Sequence, residues 1–169
     1  NALDLSISNV TPKRSGPVGA SSYFPDNDNE RFFTSGFDWK SSAKGSKVAT
    51  EYASVTMWMK IVGATSSPSD LFRLTTSSAG LGYHLKLDAA GNIVASVQTT
   101  EDAICSLTST VSLTRVSDVV RWTHLGMSYG KKGHLTIYRD GQLQDYMVCS
   151  GGANKPIKYD GNIEIKIKG

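Results

Sequence analysis

An antiparallel β-sandwich is the fold class that this sequence predicts, on three observations. Apolar and polar residues alternate with a period of two in most apolar segments, which is typical of strands with one buried face. Turn signals rich in Gly, Asn and Asp separate these segments at short intervals. Serine and threonine supply 36 of the 169 residues, and they favour strands and turns over helix interiors.

The alternation is clearest in the second half of the chain. Tyr83, Leu85 and Leu87 share one face of a predicted strand, and Asp140-Gly141 is the strongest hairpin signal. The predicted strands lie at residues 56–61, 71–75, 83–88, 93–98, 122–129, 134–139, 142–149 and 162–168. Surface loops are predicted at residues 11–22, 40–47 and 63–69, and a single helical turn at 117–121.

Length and charge exclude several classes of protein. A chain of 169 residues fits one domain. Eighteen Lys and Arg against fifteen Asp and Glu give a net charge of +3, and the basic residues are scattered, so no nucleic-acid partner is expected. The apolar runs are too short for a membrane span. Because the chain starts at Asn1 without an apolar leader, we expect a processed or excised piece.

Two local features favour an extracellular setting. Cys105 and Cys149 are the two cysteines, and they form either a disulfide or a pair of buried free thiols. Asn9, followed by Val and Thr, matches the N-glycosylation sequon.

The order of several segments resembles a known family. Arg121-Trp122-Thr123-His124-Leu125, then a glycine turn, then Leu135-Thr136-Ile137-Tyr138-Arg139-Asp140-Gly141 is similar to the laminin-G-like family of the concanavalin A-like lectin/glucanase superfamily. Residues 55–60, 70–74 and 24–33 resemble earlier strands and the first hairpin of that family. The resemblance covers residues 22–169.

This resemblance implies a jelly-roll sandwich of two curved antiparallel sheets. It would form one domain over residues 1–169, with residues 1–21 as an N-terminal arm. The family has a further strand after the segment that residues 162–169 resemble. Therefore either residues 3–7 fill that edge, or a C-terminal strand has been removed.

A polar segment supplies the candidate ligand-binding residues. Trp39 lies between Asp38 and Lys40 in a Ser/Lys-rich stretch. An exposed Trp39 would stack on a sugar, whereas a Trp39 tucked against the core would act as a lid. Tyr23 is a second aromatic residue expected at the rim. These four residues form the predicted binding set.

A calcium site is predicted from the densest group of oxygen ligands. Asp26, Asp28 and Glu30 are spaced like the start of an EF-hand loop, and calcium prefers such oxygens. The EF-hand pattern itself fails, because Arg31 stands where glycine is required. The resemblance nevertheless implies calcium at a rim of the sandwich. Asp70 and Asp160 are further rim candidates.

Aromatic residues on the predicted strands are expected to be structural. Trp58, Trp122 and Tyr138 are predicted to pack in the core. His124 shares a face with Trp122 and is predicted to be buried and hydrogen-bonded there. Three histidines would suit zinc, but the sequence does not bring His84, His124 and His134 together.

The sequence predicts a binding protein rather than an enzyme. It has no paired-carboxylate glucanase motif, nucleophile elbow, zinc-protease motif or phosphate loop. The leading hypothesis is a non-catalytic recognition module that binds a glycan or an extracellular protein through rim loops. One alternative is a structural subunit of a virion, fibre or matrix, which would form homo-oligomers. The other is an accessory carbohydrate-binding domain that neighbours a catalytic domain.

Overall fold

A computed structural model of the protein describes part of the chain. The described residues are 6–8, 11–16, 19–23, 31–37, 53–60, 68–76, 81–99, 104–113, 121–130, 132–150, 157 and 163–167. Side chains are described from residue 53 onward, apart from residues 75, 76, 81 and 163–167.

Thirteen strands occupy most of these residues. They are β1 (Ser6–Ser8), β2 (Thr11–Gly16), β3 (Gly19–Tyr23), β4 (Arg31–Phe37), β5 (Ala53–Met59), β6 (Ser69–Thr76), β7 (Leu81–Leu87), β8 (Asn92–Gln98), β9 (Ile104–Ser112), β10 (Thr123–Tyr129), β11 (His134–Arg139), β12 (Gln142–Val148) and β13 (Ile163–Ile167). Within the described residues, no helix has the length and apolar character needed to cross a membrane.

The strands form two main antiparallel sheets. The larger sheet has the order β1-β4-β13-β6-β7-β8-β9, and the smaller sheet has the order β12-β11-β10-β5. β2 and β3 form a separate hairpin. This arrangement confirms the all-β antiparallel sandwich that the alternation predicts.

An apolar layer between the sheets forms the core. The larger sheet contributes Leu85, Leu87, Ile93 and Val97, among others, and the smaller sheet contributes Leu125, Met127, Tyr129, Leu135 and Ile137. The hydroxyl of Tyr83 reaches across this layer and lies 3.0 Å from the carbonyl oxygen of Met127. The predicted inward face of Tyr83, Leu85 and Leu87 is confirmed.

Three aromatic residues that were predicted to pack in the core are partly or largely exposed on or next to the smaller sheet. Trp58 is 47% exposed and Tyr138 is 36% exposed, while Trp122 precedes β10 and is only partly buried. His124 is also partly exposed and lies on the outer face. The reason is the parity of the strands: Leu125, Met127 and Tyr129 face inward on β10, so position 124 must face outward.

The prediction of a surface loop at residues 11–22 is also wrong. Residues 11–22 were expected to be a loop, whereas most of them lie in β2 and β3. These two strands contain few apolar residues, and a period-two pattern therefore cannot reveal them. Residues 40–47, most of 63–69 and residues 117–120 of the predicted helical turn lie outside the described residues.

The last strand has a neighbour on both sides. β13 pairs with β4 and with β6, and β1 forms the edge of the larger sheet beside β4. The extent of the domain over residues 1–169 and the arm at 1–21 stay predictions.

A disulfide links the two sheets at one side of the sandwich. The sulfur atoms of Cys105 and Cys149 are 2.02 Å apart, and their Cα atoms are 5.6 Å apart. Cys105 belongs to the edge strand β9, and Cys149 directly follows the edge strand β12. Further along the same two edge strands, the carboxylate of Asp145 accepts a hydrogen bond of 3.1 Å from the backbone N–H of Thr110. The disulfide reading of the two cysteines is confirmed.

The turn between β11 and β12 has the backbone expected of a tight hairpin. Asp140 and Gly141 have φ angles of +52° and +78°, which are the positive values that a type I′ turn requires. The carboxylate of Asp140 accepts hydrogen bonds from the backbone N–H of His124 at 3.0 Å and from Arg121 at 3.1 Å. The turn is thereby tied to the start of β10.

We expect the double substitution Cys105→Ser and Cys149→Ser to lower the free energy of unfolding by roughly 2–4 kcal/mol, because the bond closes a loop of 44 residues in the unfolded chain. Urea denaturation of the oxidised protein and the variant measures this difference. Ser150→Ala is the control at an exposed neighbouring position and should have little effect. Equal stabilities of the wild type and the double variant would contradict the prediction.

We expect Gly141→Ala to destabilise the protein by about 1–2 kcal/mol, because Ala is strained at a positive φ. No atom lies within 4 Å of the added methyl group, so the loss would come from the backbone alone. The free energy of unfolding in urea measures it. Gln142→Ala, at the next and exposed position, serves as the control, and an equal loss in both variants would refute the backbone explanation.

Candidate functional site

The outer face of the smaller sheet carries exposed aromatic and apolar side chains. Trp58 is 47% exposed, Tyr138 is 36% exposed and Tyr146 is 64% exposed. Leu143 and Val148 on β12 are also more than half exposed. Several exposed aromatic and apolar side chains on one sheet face are a candidate binding surface.

Four rings on this face form a diagonal line, which we name the aromatic stripe: Trp58, His124, Tyr138 and Tyr146. Trp58 on β5 pairs with His124 on β10. Tyr138 on β11 pairs with Gly126, two residues further along β10. Tyr146 on β12 pairs with Thr136, two residues back from Tyr138 on β11. Each of the four strands therefore contributes one ring, and the line crosses the whole sheet.

One end of the stripe is organised by a ring contact. The centroids of the Trp58 and His124 rings are 5.0 Å apart, and the rings are tilted by 39°. The backbone of His124 is held in turn by the carboxylate of Asp140. The indole ring of Trp58 therefore rests against a neighbour whose strand position is fixed by the adjacent turn.

The middle of the stripe contains a buried glycine, Gly126. It lies between Thr56 and Tyr138, and a methyl group added there would be 3.1 Å from Cγ2 of Thr56 and 3.7 Å from Cβ of Tyr138. The side chain of Thr56 therefore packs closely over the backbone of Gly126, and a larger residue at this position would have to displace it.

Hydroxyl groups flank the middle of the stripe, and charged groups lie at its Trp58 end. The hydroxyl-bearing residues on the outer face are Ser54, Thr56, Ser128 and Thr136. The hydroxyls of Ser128 and Thr136 are hydrogen-bonded to each other at 2.5 Å. At the Trp58 end, Arg121 and Asp140 form an ion pair of 3.1 Å, and Lys60, two residues after Trp58, is exposed. The middle of the stripe therefore offers hydrogen-bonding groups without a lysine, arginine or carboxylate at the outer-face positions of the described strands.

Most of the predicted site residues lie outside the described residues. This holds for the binding candidates Trp39, Asp38 and Lys40, for the calcium candidates Asp26, Asp28 and Glu30, and for the sequon residue Asn9. Tyr23 ends β3, but its side chain is not described. The loop site, the calcium ion and the glycosylation site stay predictions.

The three histidines do not lie together in the described part of the structure. His84 lies on the larger sheet, whereas His124 and His134 lie on neighbouring strands of the smaller sheet. Within the described part of the chain, no three His, Cys, Asp or Glu side chains form a group that could hold a metal ion.

The sequence assigns the outward face of β10, but it does not identify the strand that pairs with β10. In residues 123–129, Leu125, Met127 and Tyr129 alternate with small or polar residues, which assigns the inward face of β10. The pairing partner of His124 on the next strand must then face outward as well, and that partner is Trp58. Tyr146 carried no such signal, because a bulge in the pairing of β11 with β12 shifts the alternation on β12.

A polar cluster lies on the outer face of the larger sheet. The Nε2 atom of His84 is hydrogen-bonded to the carboxylate of Asp70 at 2.6 Å, although His84 is only 6% exposed. Arg73 lies 3.6 Å from the other oxygen of Asp70. Burial, the largest single influence, raises the pKa of Asp70, but the hydrogen bond to His84 and the charges of His84, Arg73 and Lys86 outweigh it. The pKa of Asp70 is therefore lowered from its ordinary value of 3.8.

The two antiparallel sheets and the apolar layer between them define a β-sandwich. A laminin-G-like family model, described as the concanavalin A-like lectin/glucanases superfamily, matches residues 34–162. This match covers more than half of the chain, and the chain therefore belongs to that superfamily. The resemblance seen in the sequence and the jelly-roll fold that it implies are confirmed.

Solved structures share the fold at low sequence identity. The binding domain of Paraclostridial Mosquitocidal Protein 1 has a TM-score of 0.67 at 13% identity, over 98% of this chain and 43% of that chain. The binding domain of botulinum neurotoxin serotype G has a TM-score of 0.64 at 10% identity, over 98% and 42%. The binding domain of botulinum neurotoxin DC, in complex with rat synaptotagmin II, has a TM-score of 0.55 at 14% identity, over 95% and 41%.

This chain spans less than half the length of those structures. At such identities the likeness shows the fold and nothing more. No curated protein matches the chain.

The lowered pKa of Asp70 predicts a specific pH dependence of stability. Because the folded state favours the Asp70 carboxylate, its contribution is present above the unfolded pKa of about 3.9 and is lost as the pH falls through the lower folded pKa. The difference in unfolding free energy between the wild type and Asp70→Asn should therefore be largest above pH 4 and shrink below it. Urea denaturation from neutral to acidic pH measures this difference. Ser96→Ala, on the same outer face, should show a constant difference, and a constant difference for Asp70→Asn would contradict the assignment.

Proposed function

We propose that this chain is a non-catalytic binding module that holds a neutral glycan on the outer face of its smaller sheet. The observation that carries the proposal is the aromatic stripe, whose rings stay exposed on a sheet with a complete apolar core beneath it. Exposed rings cost free energy in water, and a bound ligand would remove that cost.

The chemistry of the face supports a glycan as the ligand. A sugar ring presents an apolar C–H face and a rim of hydroxyl groups. The faces of Trp58 and Tyr138 offer an electron-rich surface for the C–H groups. The hydroxyls of Thr56 and Thr136 both donate and accept hydrogen bonds, and they match the rim of the sugar. The middle of the stripe has no lysine or arginine at the outer-face positions of the described strands, which favours a neutral sugar over a sulfated one there.

The proposed site lies on the sheet face rather than in the rim loops expected from the sequence. Strands held by a packed core keep their side chains in place before the ligand arrives, which lowers the entropic cost of binding. The predicted loop set around Trp39 would then add contacts from the rim. Calcium at Asp26, Asp28 and Glu30 remains part of this proposal as a support for those loops.

The side chains on the stripe support binding without catalysis. Glycoside hydrolysis uses two carboxyl groups that flank the scissile bond. At the Trp58 end of this face, the carboxylate of Asp140 is engaged by Arg121 and by the backbone of His124. Its role is therefore to hold the turn, and the stripe itself offers stacking and hydrogen bonding.

The disulfide supports a module that works outside the cell or on a surface. Such bonds persist in oxidising compartments and are rare in the cytosol. Cys105 and Cys149 join two edge strands, where the bond adds stability without contributing to the stripe.

An assembly subunit is the second candidate, and one observation favours it. β12 is an edge strand of the smaller sheet, and Asp145 is its one charged residue. Leu143 and Val148 are exposed on it. A second copy pairing along β12 would bury both residues, and sedimentation velocity over a range of concentrations distinguishes this case.

We expect Trp58→Ala to abolish or strongly weaken the binding of neutral glycans, because it removes the largest ring of the stripe. A glycan array probed with the purified chain, with and without calcium, measures the effect. Trp58 is about half exposed, so the variant should keep its fold and melting temperature. Ile104→Ala is the matched control, since Ile104 is exposed on the larger sheet. A wild-type chain that binds no glycan and forms a defined oligomer would favour the assembly subunit instead.

A further inference from the structure

We infer that the aromatic stripe takes an extended linear oligosaccharide, with separate sugar subsites at Trp58, Tyr138 and Tyr146. This inference rests on the proposed glycan-binding function and specifies the form of the ligand. A single terminal sugar, the alternative ligand, would instead need the binding side chains to cluster around one point.

The strand register fixes the length of the stripe. From Trp58 to Tyr146 the line crosses three gaps between strands and advances four residues along them. With strands about 4.8 Å apart and a rise of about 3.4 Å per residue, the backbone positions of the two residues are about 20 Å apart. This distance exceeds the span of a single sugar ring. The side chains of Trp58 and Tyr146 would therefore contact different sugars of one oligosaccharide.

The spacing inside the stripe is uneven. The same spacings place Trp58 and Tyr138 about 12 Å apart, and Tyr138 and Tyr146 about 8 Å apart. Thr56 lies in the wider interval, where its side chain packs over Gly126. A sugar between Trp58 and Tyr138 would lie over Thr56 and contact its side chain.

The two ends of the stripe differ. At the Trp58 end, the contact with His124 and the turn at Asp140 fix the first ring. At the other end, Tyr146 lies on the edge strand β12 and is the most exposed of the aromatic rings, at 64%. We therefore expect a well-ordered first subsite and a last subsite that only longer chains reach.

Charge along the line favours a neutral chain. Between Trp58 and Tyr146, the outer-face residues on the described strands are Thr56, Ser54, His124, Gly126, Ser128, Tyr138, Thr136 and Leu143. None of these is an acidic residue, a lysine or an arginine. A sulfated or uronic acid chain would find no lysine or arginine at these positions, since Lys60 and Arg121 lie beyond them at the Trp58 end.

The length of the glycan is the variable that tests the inference. We would print each linear neutral glycan on an array as a series from monosaccharide to hexasaccharide, and then titrate the best series by calorimetry. The expected result is affinity that rises with each added sugar and levels off once the stripe is filled. Equal affinity for the monosaccharide and the hexasaccharide would overturn the extended site while leaving glycan binding in place. No binding to any member of any series would overturn the proposed function itself.

The last ring provides the sharpest variant. Tyr146→Ala should lower the affinity for the hexasaccharide about tenfold, which corresponds to about 1.4 kcal/mol, and leave the affinity for the shortest bound sugar unchanged. Tyr146→Phe keeps the ring and should stay close to the wild type. Ile104→Ala should change neither affinity. A hexasaccharide affinity unaffected by Tyr146→Ala would remove the last subsite and overturn the inference.

Discussion

The apolar layer shared by the two sheets is the constraint on which the rest of the structure depends. It buries Leu125, Met127 and Tyr129 of β10 against Leu85 and its neighbours on the larger sheet. Because successive side chains of a strand point to opposite faces, this burial also fixes which residues remain outside. The proposed binding face is therefore determined by the core: a shift of one residue in the register would place Trp58 inside and Met57 outside.

The fold could be predicted from the sequence more completely than the site. Alternation identified most strands from residue 53 onward and placed Tyr83, Leu85 and Leu87 inside, because each apolar residue there has polar neighbours. β5 did not allow this, since Met57, Trp58 and Met59 are apolar on both faces and either orientation fits. The expectation that large aromatic rings are buried then favoured the wrong orientation, with Trp58 inside.

Long-range pairing explains what sequence reasoning missed at the site. The stripe exists because β5, β10, β11 and β12 are neighbours in one sheet, and alternation within one segment carries no information about its neighbours. The bulge near Tyr138 adds a further shift that no local pattern reveals. The loop and calcium candidates, by contrast, were visible as local composition, and their placement depends on residues that the described part of the chain does not include.

The bond between Cys105 and Cys149 has a mechanical consequence. β12 carries the most exposed ring of the stripe and is an edge strand, held to its sheet on one side by hydrogen bonds to β11. A tethered ligand that pulls on Tyr146 would load this strand first. Since the disulfide fastens the end of β12 to β9, the force passes through a covalent bond into the larger sheet. An edge strand that would otherwise separate from its sheet would then withstand a load applied at Tyr146.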